Sequence, residues 1–150
     1  MRKFGIARGV RKQQIARNAI VLNPSAKSII LNSDRKMAQR FGLVVVDCSW
    51  NLAENVFKIR FKGLQRKLPA LLAANPTNYA KLGRLSSIEA VCAGLYIMDF
   101  KAVSGQILSI YKWGPTFLSL NHDPLEDYCK ASSTEEILEM EKMYFPVFKA

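Results

Sequence analysis

Leu43-Val44-Val45-Val46 is the stretch that most constrains the fold: four apolar residues in a row, three of them β-branched, read as a strand buried on both faces. It runs into Asp47-Cys48-Ser49-Trp50, where Ser49 is placed to N-cap a following helix. In open α/β sheets, ligands occupy the crevice beyond the carboxyl ends of the strands. Asp47 and Trp50 therefore put an acid and a large aromatic where a small molecule is expected. The competing reading is that Asp47 turns the backbone and Trp50 packs in the core.

The segments on either side support an α/β chain. Asn51 to Phe61 repeats apolar residues at Leu52, Val56 and Ile59, with a second row at Ala53, Phe57 and Phe61, which predicts a helix buried over a wide face. Strand Leu43–Val46, this helix and a strand over Leu68–Ala74 make a βαβ pattern, hence a parallel pair with a right-handed crossover. Upstream, Ala19-Ile20-Val21-Leu22 predicts a short strand stopped by Asn23-Pro24, and Ser25 to Asn32 a turn or short helix. Ser33-Asp34 opens a helix over Arg35–Phe41 that Gly42 ends. For the first 18 residues, a basic helix and a strand with a loop both stay open.

Downstream, Asn75-Pro76-Thr77-Asn78-Tyr79 starts a turn-rich connection that reaches Leu85. Ser86-Ser87-Ile88-Glu89 fits a capping box, with Ser86 as N-cap and Glu89 reaching back. The helix from there to about Met98 is almost wholly apolar and is therefore a buried one. Its N-terminus is placed to offer backbone N–H groups to a ligand. A further helix is expected from about Lys101 to Tyr111, ended by Trp113-Gly114-Pro115. After an apolar Phe117 to Leu120, Asn121-His122-Asp123-Pro124 reads as a turn. Ser132-Ser133-Thr134-Glu135-Glu136 opens a capped, acidic and peripheral helix.

Several chemistries lack their residues. No run of 18 apolar residues exists to span a membrane, and the basic amino end has no signal-peptide core. Cys48, Cys92 and Cys129 form no C-x-x-C pair and read as reduced thiols of a cytosolic protein. A single histidine, His122, supports neither a zinc site nor a histidine-dependent triad. The phosphate-loop and dinucleotide fingerprints are both absent. Glu54, Glu89 and Asp99 fall on predicted helices, where solvated or capping roles are the default. The charge is segregated: residues 1–67 hold 15 Lys/Arg against 3 Asp/Glu, a balance of +12, and residues 68–150 hold 7 against 9, a balance of −2. A basic half facing a nearly neutral one points to a phosphate-rich partner, for which nucleic acid is the natural choice.

Val45-Val46-Asp47-Cys48-Ser49-Trp50, Leu68-Pro69 leading into Leu72-Ala73-Ala74-Asn75-Pro76-Thr77-Asn78-Tyr79, and Leu85-Ser86 with Glu89-Ala90 together resemble one family. It is the aminocarboxypropyltransferases that act on small-subunit ribosomal RNA during ribosome assembly. Val21-Leu22-Asn23-Pro24 is similar to the family's V-L-D/N-P. Lys112-Trp113-Gly114-Pro115 with Phe117-Leu118 and Asn121 is similar to its K-W-G-x-x-F-L-x-x-N. The likeness covers roughly residues 4 to 121.

This resemblance implies a SPOUT-like α/β fold, a parallel sheet flanked by helices with a C-terminal trefoil knot, and S-adenosylmethionine held in the knot region. It implies a basic N-terminal lobe (1–42) and a cofactor-binding domain (43–150). Leu22 and Pro24 would flank the adenine with Trp50, and Val46, Leu68, Gly83 and Ser87 fall at cofactor-contact positions, largely through backbone. Trp50 would lie against the methyl group and give a cation–π contribution to the sulfonium. Asp47 would shape the site or act as general base toward the acceptor, a ring nitrogen of a hypermodified pseudouridine. Arg8, Arg11, Lys12, Arg17, Lys58, Arg60, Lys62, Arg66 and Lys67 would bind small-subunit rRNA or its precursor through phosphate contacts.

Two departures accompany the likeness. The family normally opens with a further strand and a C-[ST]-G segment whose hydroxyl residue holds the cofactor's carboxylate. This sequence starts beyond that point, so a truncated or misassigned start is expected. The family's Pro-Tyr or Pro-Trp is also replaced here by Leu82-Gly83. The expected function is transfer of the aminocarboxypropyl group by a monomeric, cytoplasmic enzyme without metal. A methyltransferase of the same fold and a non-catalytic assembly factor that binds pre-ribosomal RNA are the alternatives.

Overall fold

Ile20–Leu22 (β1) is the centre around which the chain is built. In this computed structural model, which describes residues 7–45 and 61–146, β1 lies between Leu43–Val45 (β2) and Leu64–Arg66 (β3). Both neighbours run parallel to it, with Leu22 level with Val45 on one side and Arg66 on the other. Side chains alternate across the sheet as the strand period requires. Ile20 and Leu22, with Leu43, Val45 and Leu64, face the main apolar core. Val21 and Val44 face a smaller cluster built on Ile15 and Ala19 and covered by Ala16, Phe41 and Phe61.

Among the described residues the helices are α1 (Arg35–Phe41), α2 (Ser87–Ile97), α3 (Lys101–Leu108), α4 (Gly114–Leu120), α5 (His122–Lys130) and α6 (Thr134–Tyr144). α1 ends at Gly42 as its sequence requires, with the Gly42 amide donating to Ala38 O. α2 carries the predicted capping box: the Ser86 hydroxyl accepts from Glu89 N, and the Glu89 carboxylate accepts from Ser86 N. It packs on β1 and β2, where Gly94 comes close to Ile30, Leu22 and Leu43.

Several expectations are corrected. Among the described residues, Leu43–Val45 is a half-buried strand at the edge of the sheet rather than one buried on both faces, and the strand with no exposed face is β1. The third strand is Leu64–Arg66, not Leu68–Ala74, and it does not pair with β2, because β1 lies between them. Of the first 18 residues, 7–18 form neither a long helix nor a strand, but an irregular segment with a short 3-10 turn at Lys12–Gln14. The predicted Asn51–Phe61 helix falls almost entirely outside the described residues. Gly114-Pro115 opens α4, and His122-Asp123-Pro124 is the first turn of α5, where a proline displaces no helical hydrogen bond. Asp99 follows α2 instead of lying on a helix. α6 is not peripheral: Ile137 is fully buried in the main core and Glu141 is buried beside it.

The apolar run 68–74 fails to form a strand for a readable reason. Pro69 has no amide to give a ladder, and the backbone that follows is met by side chains. Glu141 accepts from Ala70 N (2.6 Å), and the Tyr128 hydroxyl donates to Ala70 O (2.9 Å). Asn121 accepts from Leu72 N and donates to Leu72 O, both at 2.8 Å, which is what a neighbouring strand would do. Glu89 then accepts from Ala74 N (2.6 Å) and Asn75 N (3.2 Å).

Gly114 sits where the turn between α3 and α4 brings backbone against backbone. A Cβ there would stand 1.8 Å from Leu108 O and 2.6 Å from Leu108 C, both backbone atoms. Backbone cannot swing aside as a side chain can, so Gly114→Ala is expected to cost about 3 kcal/mol. Urea unfolding should show an earlier midpoint at unchanged slope; an unchanged midpoint would mean that the α3–α4 turn relaxes freely.

Candidate active site

Because the three strands are parallel, their carboxyl ends lie along one edge of the sheet, the edge where α/β folds bind ligands. Leu22 ends β1 and is 4% exposed. The chain then turns at Asn23, whose Oδ1 accepts from Ser25 N (2.9 Å) and whose Nδ2 donates to Gln65 Oε1 (3.1 Å). That double anchoring holds Pro24, which is exposed, just past the strand end. Leu68 lies two residues beyond β3 and joins the same apolar cluster as Leu22, Leu85 and Ile88.

The next part of the edge is organised by Glu89, which is fully buried. Its Oε2 accepts from Ala74 N and Asn75 N; its Oε1 accepts from Asn75 Nδ2 (2.6 Å), Ser86 N (2.9 Å) and Ser86 Oγ (3.0 Å). One carboxylate thus locks the chain leaving the sheet edge to the N-terminus of α2, where Ser87 lies. Between them sits Gly83, with φ +73° and its amide donating to Leu71 O (2.9 Å). Among the described residues, a Cβ on Gly83 would meet nothing within 4 Å, so they leave the space beside its backbone open. The left-handed φ also explains why glycine stands here.

Of the expected cofactor positions, Leu22, Pro24 and Leu68 end or follow β1 and β3, and Gly83 and Ser87 lie on the loop and helix start that Glu89 ties to the chain beyond β3. Val46, Asp47 and Trp50 lie outside the described residues. So do Lys58 and Arg60 among the proposed RNA-binding cations. Of the others, Arg8, Arg11, Lys12 and Arg17 are all exposed on the segment before β1. Lys62 joins them: its ammonium donates to Gln13 O (3.1 Å), while Lys12 lies 5.7 Å above the Phe61 ring. Arg66 is engaged otherwise, its Nε 3.1 Å from Asp34 Oδ2 and its Nη1 donating to Gln65 O. Lys67 is half-buried.

Other titratable groups are structural. Burial pushes the Cys92 thiol up to about 12, with the Glu89 charge adding to the rise against a lowering hydrogen bond from Ser104, so it is no nucleophile. Burial and the hydrogen bond to Glu126 raise Tyr96, and the Tyr96 and Lys101 hydrogen bonds lower Glu126. This group ties α2, α3 and α5 together. Among the described residues, no set of His, Cys, Asp and Glu side chains is grouped to hold a metal, and no helix is long and apolar enough to cross a membrane. Sequence reading missed the roles of Asn75, Tyr128 and Glu141. The signal for Asn121 was its place in the K-W-G string, and for Glu89 its place in the capping box.

The family described as "Ribosome biogenesis protein, C-terminal" matches residues 20–145. The 16S rRNA aminocarboxypropyltransferase of Thermoplasma acidophilum is 46% identical over 145 residues, which is 97% of this chain and 87% of that protein. The protein of the same name from Methanocaldococcus jannaschii is 39% identical over 130 residues, 86% of this chain and 75% of its own length. The solved structure of the SAM-dependent rRNA:acp-transferase Tsr3 from Vulcanisaeta distributa superposes with a TM-score of 0.83 at 38% identity, covering 99% of this chain and 87% of the other. On sequence identity across nearly its whole length, and on a shared fold, the chain belongs to the 16S rRNA aminocarboxypropyltransferase family.

Proposed function

We propose that this chain transfers the 3-amino-3-carboxypropyl group of S-adenosylmethionine to a ring nitrogen of a hypermodified pseudouridine in small-subunit rRNA. The observation that carries this is the array at the carboxyl edge of the sheet. Apolar Leu22 and Leu68 with Pro24 suit an adenine, and Gly83 backbone bordering open space suits polar contacts that need no side chain. When bound, S-adenosylmethionine supplies an electrophilic carbon, whose bond to sulfur breaks as the bond to nitrogen forms, with methylthioadenosine as the leaving group. The protein's part is orientation: Glu89 and Asn121 fix the backbone that faces the ligand, and alignment of the acceptor with the chosen carbon supplies the rate. Trp50 is assigned to the methyl side. Asp47 is assigned to the acceptor, to receive the imide proton or shape the site.

The RNA is held by Arg8, Arg11, Lys12, Arg17 and Lys62, with Lys58, Arg60 and Lys67 extending the basic surface. The C-terminal trefoil knot, action as a cytoplasmic monomer without metal, and division at residue 42 belong to the same reading. That division is one of labour, not of packing, since Ile20, Leu22 and Ile30 share a core with Leu71, Phe117 and Ile137.

Calorimetric titration with S-adenosylmethionine, followed by product analysis with small-subunit RNA, tests the assignment. Methylthioadenosine is the expected product; S-adenosylhomocysteine would overturn it in favour of methyl transfer. Trp50→Ala is expected to weaken cofactor binding at least about tenfold, the loss of a desolvated aromatic contact on a cation. RNA affinity should be kept. Unchanged cofactor affinity would remove Trp50 from the site.

A further inference from the structure

Residues 71–84 double back into a tied loop. Leu72 and Leu82 form an antiparallel bridge, Gly83 N donates to Leu71 O, Ala73 N to Lys81 O (3.0 Å), and Ala80 N to Ala73 O (2.7 Å). The tip is restrained as well. Asn78 N donates to both the backbone and side-chain oxygens of Asn75, Lys81 N donates to Asn78 O, and Asn75 Nδ2 donates to Arg84 O (3.2 Å). On this tip stands Tyr79, 57% exposed, and no other Phe, Tyr or Trp of the described residues is as exposed. Among the described residues its side chain makes no hydrogen bond and no ring contact.

A single exposed tyrosine is ordinary; its fixed presentation is not. The next residue, Ala80, is held at φ +63°, a conformation L side chains rarely adopt. Such strain persists only where the surroundings impose it, and it gathers at ligand contacts. Tyr79 is also four residues from Gly83, on the same tied loop, and is followed by exposed Lys81 and Arg84. An aromatic face with cations at its side is the chemistry that binds unpaired nucleobases, the ring stacking and the cations meeting phosphate.

We infer that Tyr79 is a stacking platform for an unpaired base of the RNA substrate beside the nucleotide being modified. The inference rests on the proposed function, which requires a base whose ring nitrogen is reachable and therefore out of the duplex. Stacking needs the ring and not the hydroxyl, and it removes no charge. Binding of an unpaired oligoribonucleotide, and of the same sequence as a duplex, separates these features. Tyr79→Ala is expected to weaken binding of the unpaired strand about tenfold, with little change for the duplex, an unchanged salt slope and unchanged S-adenosylmethionine affinity. Tyr79→Phe should restore the wild-type value. Equal losses in both variants, loss of cofactor affinity, or unchanged RNA affinity in Tyr79→Ala would each overturn the inference. A wild-type chain that binds neither cofactor nor RNA would overturn the proposed function and this platform together. A wild type that binds both while Tyr79→Ala matches it would overturn only the platform. Tyr79 belongs to neither apolar cluster, so the variants should melt close to the wild type.

Discussion

Glu89→Gln, a change of one atom in a fully buried side chain, is expected to destabilise the protein by about 3–5 kcal/mol and to loosen the loop that carries Gly83. The two carboxylate oxygens together accept five hydrogen bonds. Glutamine offers one oxygen and one NH2. With the NH2 facing Ala74 and Asn75, two backbone donors lose their acceptor; facing the other way, it confronts the Asn75 side chain, Ser86 N and Ser86 Oγ. Either orientation takes the acceptor from at least two buried or part-buried donor hydrogens, at about 1–3 kcal/mol each, and replacement of one capping-box partner adds to the loss. Exchange of backbone amides at 74, 75 and 86 should accelerate more than exchange at Ile20–Leu22, because the defect is local. S-adenosylmethionine should bind more weakly in proportion. Wild-type stability with wild-type exchange would mean that the five contacts do not hold the loop. Lost stability with intact cofactor affinity would separate Glu89 from the site.

Where local signals decided structure, the sequence was a good guide. Ser86 and Glu89 form the capping box their spacing called for, and Gly42 ends α1. Ile20–Leu22 is a strand stopped at Asn23-Pro24. Misreadings came where partners distant in sequence decide. Hydrophobicity alone makes Leu43–Val46 look more central than Ile20–Leu22, and nothing local reveals that β1 takes a neighbour on each side. The run 68–74 has a strand's composition, yet its hydrogen-bonding partners are Asn121, Tyr128 and Glu141, some 50 to 70 residues away. Buried polar side chains were harder still to foresee. Glu141 lies on a helix whose first turn is acidic and solvated, and its burial and its contact with Ala70 N, both set by distant chain, distinguish it from Glu135. The expected cofactor positions Leu22, Pro24, Leu68, Gly83 and Ser87 entered through the resemblance; what the fold adds is that the first three end or follow parallel strands, while Glu89 ties the 83–87 stretch to the chain beyond them.

Reversing Arg8, Arg11 and Arg17 together to Glu is expected to cut affinity for small-subunit RNA by about 100-fold or more at low salt, and to flatten its salt dependence. Each phosphate neutralised by a cation contributes about 0.7–0.9 to the slope of log K against log salt. Losing three contacts should therefore lower that slope by about 2–3. All three side chains are exposed, on a segment held near Lys62 by the Gln13 carbonyl. Their reversal leaves the core untouched, so the melting temperature should barely move. Arg66→Glu provides the contrast within the same basic half. Its guanidinium is bound to Asp34, which also accepts from Leu31 N at the turn before α1. Glutamate there puts two carboxylates together at a part-buried position, which should cost about 1–3 kcal/mol of stability and leave the salt slope of RNA binding unchanged. If Arg66→Glu flattens the slope as well, Arg66 leaves Asp34 for phosphate when RNA binds. If the triple reversal leaves the slope intact, the charge before β1 is a solvated face, and the RNA must be held from the sheet edge and the Tyr79 loop.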